Sequence, residues 1–155
     1  MVGRGCGLYI NREIFDTVMP KRYQRTRAKG YKAPPNTKYV GKVGRGGNSK
    51  AVDWSNPFRV VPPPEKGGSW AVKYPGGAVS FYESKREAHR IAVKLYRGHL
   101  RRMIEDDNTR EKFVQLNCYD YLSCWCPLDM PSHVDIMIEE LEQLRHPLYT
   151  NPPNL

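Results

Sequence analysis

No stretch of the sequence approaches the ~18 consecutive apolar residues that a membrane-spanning helix needs, so no membrane partner is expected. The start carries no basic-then-apolar leader, which points to a cytoplasmic chain. Cysteine is scarce, with only Cys6, Cys118, Cys124 and Cys126. Without a leader, four thiols do not argue a disulfide framework. Cys124, Cys126 and His133 offer three ligands, and C-x-C is not the spacing of a zinc site, so no metal and no cofactor is expected. Glycine-rich segments occur at Gly3–Gly7 and Gly41–Gly47, but neither ends in G-K-[ST], which excludes a P-loop NTPase. Acids are also in deficit. Against 25 lysines and arginines stand 16 aspartates and glutamates, and the resulting formal charge of +9 points to an anionic partner.

What is present is a chain of 155 residues, 39% apolar, with 13 prolines and 13 glycines. That composition fits one core with long loops. The expected architecture is a small α/β domain: a short mixed sheet, at least two packed helices and long loops. Residues 1–18 read as an extension, 19–146 as the domain, and 147–155 as a proline-rich tail.

The chain is organised around Leu122–Asp135. Tyr121–Trp125 suits a buried strand. Pro127 and Pro131 bracket a tight loop. Ser132 and Asp135 form a capping-box pair, and Val134, Met137, Ile138, Leu141 and Leu144 follow at helical spacing. A strand end therefore points at a helix N-terminus, where α/β folds usually hold ligands. Upstream, Trp54-Ser55-Asn56-Pro57-Phe58 reads as a compact turn. Trp70–Tyr74 and Ala78–Tyr82 flank Pro75-Gly76-Gly77 as a hairpin. Ser84 and Glu87 start a helix whose apolar face includes Ala88, Ala92, Leu95 and Tyr96, and His99 falls on that side as a core histidine. Glu105–Arg110 reads as a polar linker.

Two basic segments stand out. Arg22, Arg25, Arg27, Lys29 and Lys32 alternate with Tyr23 and Tyr31 in what reads as an arm without clean period; cations among aromatics suit phosphate contact with base stacking. On the helix after Ser84, Arg86, Arg90, Lys94, Arg97 and Arg101 fall within an arc of roughly 80°.

Several segments in order resemble a phage and bacterial family known only as a domain of unknown function, number four-three-two-six in its series. They are Gln24–Lys32 with its K-G-aromatic step; Tyr39-Val40-Gly41-Lys42 with Trp54–Phe58; Ala92-Val93 with Tyr96 and Leu100; and Cys124-Trp125-Cys126-Pro127 with His133 and Asp135. Here an insertion separates the second pair, Ser55 stands where the family has glycine, and Ser132 stands where it has cysteine. Serine is a poor metal ligand but a good N-cap, which again argues against zinc. The resemblance implies an α/β domain, often phage-borne, and no particular reaction.

The expected function is an accessory protein of phage type, in the cytoplasm of a bacterial host, that binds an anionic nucleotide or a nucleic acid. In the nucleotide version the phosphate lies at the Ser132–Asp135 helix start. Trp54 stacks, Asn56 reads the base or sugar, and His133 or Asp135 supplies acid–base chemistry. Asn56, His133 and Asp135 would then face one pocket. In the nucleic-acid version the two basic segments contact phosphates. The alternative is a protein that blocks a host factor by surface complementarity.

Overall fold

The computed structural model describes residues 18–43 and 51–145. The extension over 1–17, the glycine-rich loop over 44–50 and the tail after 145 lie outside the described residues.

The organising stretch folds as its sequence suggests. Tyr121–Cys124 is a strand, β6, last in sequence but central in a three-stranded parallel sheet. It lies between β1 (Lys21–Gln24) and β2 (Thr37–Tyr39), with Gln24 beside Cys124 and Tyr39 beside Ser123. Leu122 and Cys124 are buried, as a central strand requires. A second sheet is an antiparallel meander of β3 (Arg59–Val61), β4 (Trp70–Lys73) and β5 (Val79–Tyr82). Gly76 and Gly77 turn the β4–β5 hairpin at φ of 95° and 102°, a region that L side chains avoid. The domain is therefore α/β with one parallel and one antiparallel sheet.

Helix α1 (Lys85–Met103) begins at Ser84, whose hydroxyl accepts from the Glu87 N–H. Ala88, Ala92, Tyr96 and Leu100 are its buried face. Helix α3 (His133–Arg145) buries Val134, Met137 and Leu141. The main core joins Tyr96 and Leu100 to Phe113, Leu116, Leu122, Val134 and Met137. Each such side chain, fully buried, stabilises by roughly 1.5–3 kcal/mol. A satellite cluster of Val72, Ala88 and Ala92 lies under the antiparallel sheet.

Two expectations are corrected. The expected linker at Glu105–Arg110 contains the start of a helix, α2 (Asp107–Val114), capped by the Asp106 carboxylate on the Thr109 N–H. The expected basic arm begins with β1, because the β6 edge supplies hydrogen-bond partners that no local pattern shows.

Candidate functional site: the carboxyl edge of the parallel sheet

At the α3 start the capping box is complete. Ser132 Oγ accepts from the Val134 N–H at 3.2 Å, and Asp135 Oδ2 accepts from the Ser132 N–H at 3.2 Å. The same carboxylate oxygen takes Arg22 Nη1 at 2.8 Å. Arg22 also donates through Nη2 to the carbonyls of Cys126 and Pro127, and its side chain is only 10% exposed. Its Nε is buried without a hydrogen-bond partner among the described residues. The positive end of α3 is thus occupied by the protein's own carboxylate, itself held by a mostly buried arginine.

The thiols belong to the same joint. Cys124 Sγ and Ser132 Oγ share a hydrogen bond at 3.3 Å, and Cys126 Sγ donates to the Pro131 carbonyl at 3.3 Å. Burial, then the neighbouring Cys124, pushes the Cys126 thiol up, so it stays protonated. No cluster of metal-binding side chains occurs among the described residues.

His133 Nε2 lies 2.8 Å from the Val40 carbonyl, and its ring stands edge-on to Tyr96 with centroids 5.1 Å apart. Burial holds its pKa below the ordinary imidazole value. As a neutral donor it pins the end of β2 to α3. Asn56 is also engaged at both ends of its amide. Nδ2 donates to the Ala92 carbonyl of α1 at 3.1 Å, and Oδ1 accepts from the Phe58 N–H at 2.9 Å. Trp54 is buried against Phe113, with centroids 5.5 Å apart, and its carbonyl accepts from the Tyr96 hydroxyl at 2.7 Å. The cleft that Asn56 lines includes neither His133 nor Asp135. Each of the three side chains has a structural partner, and Tyr96 links the two regions through the Trp54 carbonyl and the His133 ring.

The helical stripe divides as well. Arg97 pairs with Glu139 and, at 2.7 Å, with Glu140; Arg101 reaches Glu140 at 3.0 Å; and Arg86 donates to the Asp129 carbonyl at 3.0 Å. These three arginines bind α1 to α3 and its entry loop. Arg90 and Lys94 stay exposed.

What gathers outward joins rings and cations of the first basic segment to Tyr39, Tyr121 and Trp125, a meeting that no single motif showed. Side chains alternate along a strand, so Leu122, Cys124 and Val40 face the core while Tyr23, Tyr121, Tyr39, Arg25 and Trp125 share the other face. The Arg25 guanidinium lies 4.6 Å from the Tyr39 ring and 5.0 Å from the Trp125 ring. Arg27 lies 5.3 Å from the same Trp125 ring. Tyr23 stacks with Tyr31 at 6.2 Å and meets Tyr121 edge-on at 5.8 Å. The Arg25 N–H donates to the Cys124 carbonyl at 2.8 Å, so its backbone continues the ladder and aims the side chain. Gly41 is needed here, because an added Cβ would lie 2.6 Å from the Tyr39 hydroxyl. Trp125 is 42% exposed, Arg27 beside it is exposed too, and Lys29 and Lys32 are exposed further along the same segment. The period-two placement of Tyr121, Ser123 and Trp125 beside Tyr23 and Arg25 is the sequence signal for this face.

A family model described as a domain of unknown function, DUF4326, matches residues 23–143. No curated protein matches the chain, and neither does any solved structure.

Proposed function

The chain belongs to the DUF4326 family, and we propose that it is a phage-type accessory protein that binds single-stranded nucleic acid or an anionic nucleotide on the Arg25–Tyr39–Trp125 face. The carrying observation is Arg25 held near both rings at the carboxyl edge of a parallel sheet, where α/β domains place their ligands. Guanidinium planes and exposed rings stack on any base, while neighbouring cations track the phosphates. Arg27, Lys29 and Lys32 supply those cations. Non-enzymatic binding is the favoured form, since His133, Asp135 and Asn56 each have a structural partner.

Titrating the protein with a short oligothymidylate tests this through tryptophan fluorescence, because Trp125 is exposed while Trp54 is buried and Trp70 is half-buried on the other sheet. Quenching is expected, with affinity falling as salt rises at a log–log slope of about −0.7 per phosphate contacted. Trp125→Ala should weaken binding by about 1–3 kcal/mol. Unquenched fluorescence, or an affinity indifferent to both salt and Trp125, refutes the proposal.

A second reading, a host-protein partner, has one observation in its favour. On the outer face of the antiparallel sheet Phe81 is 70% and Val79 41% exposed. Pulldown from host lysate that resists nuclease and is lost in Phe81→Ser favours it.

A further inference from the structure

The oligonucleotide face does not use a cleft of about 650 Å³ that Lys42 borders. Its walls are the Trp54–Phe58 turn, the adjoining ends of β3 and β4, and the C-terminal half of α1. The turn is fixed to α1 at two points, by Asn56 on the Ala92 carbonyl and by the Tyr96 hydroxyl on the Trp54 carbonyl. Ala92, Tyr96, His99 and Met103 recur at i, i+4, i+7 and i+11, so one helical stripe both holds the turn and lines the cleft. The cleft is therefore pre-formed, within the size range of small-molecule sites.

Its chemistry has two parts. Pro57, Tyr74, Pro75 and Met103 give apolar surface, and His99 adds an imidazole beside Phe58 and Tyr96, with centroids at 6.4 Å and 6.0 Å. Lys42, Arg59 and Lys73 bring three cations to the lining. The one carboxylate there, Asp53, accepts from the Ser55 N–H at 2.9 Å and the Ser55 hydroxyl at 2.6 Å within its own turn. Lys42 also ties the cleft to the first face, because its carbonyl accepts from the Tyr39 hydroxyl at 3.0 Å while Arg25 lies over that ring.

We propose that this cleft is a second binding site, for a phosphate monoester that carries a flat ring, as a 5′-mononucleotide does. The ring lies on the Pro57, Tyr74 and Met103 surface, and Lys42, Arg59 and Lys73 take the phosphate through charge-assisted hydrogen bonds. The ester comes either as a free mononucleotide or as the phosphorylated end of a strand lying on the neighbouring face.

The test uses the full chain, with adenosine 5′-monophosphate and inorganic phosphate as probes, followed by NMR and calorimetry. Adenosine 5′-monophosphate should shift the His99 and Tyr74 ring signals. Its affinity should fall at least roughly tenfold in Arg59→Ala/Lys73→Ala. These two cations are exposed, so the variant should melt like the parent. Trp125→Ala should leave this affinity within about twofold while weakening binding of a fluorescently labelled oligothymidylate, so the two sites fail independently. A 5′-phosphate that strengthens oligonucleotide binding identifies the strand end as the source; no effect identifies the free nucleotide. Unshifted His99 and Tyr74 signals, loss of binding in Trp125→Ala alone, or inorganic phosphate binding as well as the nucleotide would overturn the proposal.

Discussion

Arg97→Glu separates a structural stripe from a nucleic-acid contact. Arg97 bridges Glu139 and Glu140, and the Glu140 side chain is 2% exposed. Removing one partner of a buried ion pair typically costs about 3–5 kcal/mol, because the other charge is left uncompensated. Two features reduce that figure here. Arg97 is itself 31% exposed, and Arg101 remains on Glu140 at 3.0 Å. The loss of the pair then costs about 2 kcal/mol. Reversal adds a third carboxylate beside two others, partly relieved by the new side chain turning to solvent, for about 1 kcal/mol more. A total of about 3 kcal/mol in a domain of this size lowers the melting midpoint by about 10 °C. Lys94→Glu, one turn earlier on an exposed site, should stay within about 0.5 kcal/mol of the parent. Thermal melts followed by circular dichroism at matched salt measure both. Arg97→Gln combined with Glu140→Gln should cost less than the sum of the two single changes, since they remove one interaction. An Arg97→Glu melt within about 2 °C of the parent, or a Lys94→Glu melt that falls equally far, refutes the reasoning.

Three further outcomes follow from the joints. Asp135→Ala removes both the capping-box acid and the partner of nearly buried Arg22, so urea unfolding should show a loss of about 2–4 kcal/mol; an unchanged midpoint would return Asp135 to the list of ligand groups. Asn56→Ala orphans the Phe58 N–H and frees the turn from α1, at about 1–3 kcal/mol, with oligothymidylate quenching retained; lost quenching in a protein that melts normally contradicts this. Burial holds His133 below the ordinary imidazole pKa, and burial followed by Arg102 does the same for His99. The unfolded chain therefore takes up protons that the fold refuses. Stability is full above about pH 6.5 and declines as pH falls below it. His133→Gln should flatten that decline in melts between about pH 7.5 and 5.5, and a midpoint that rises on acidification would contradict the assignment.

What the sequence displayed was mostly what a few neighbouring residues decide. The capping boxes Ser84/Glu87 and Ser132/Asp135, the Gly76-Gly77 turn and the apolar face of α1 all depend on partners within a turn or two. The failures involve partners far along the chain. Arg22 read as a phosphate-contacting cation because Asp135, its partner, lies 113 residues away. The stripe on α1 looked unpaired because its acids, Glu139 and Glu140, stand on another helix. A charge pattern read on one helix cannot distinguish a face for phosphates from a face for a neighbouring helix; only the acid count on whatever packs there decides it.

The same reasoning explains why Trp54 and Trp125 exchange roles. Trp54 sits in the motif that drew notice, yet its turn is bolted to α1, which drives the ring into the core against Phe113. Trp125 sits between two cysteines, where the thiols drew notice instead. Cys124, at the end of β6, and Cys126, in the bend after it, meet Ser132 and Pro131 at the α3 start, while Trp125 between them meets Arg25 and Arg27. The thiols are then needed as small groups that fit against Ser132 and Pro131, and the ring between them is free to meet Arg25 and Arg27. The C-W-C segment thus packs against the start of a helix through its two thiols and turns the ring between them towards two arginines, so the cysteines serve position while Trp125 supplies an exposed aromatic surface.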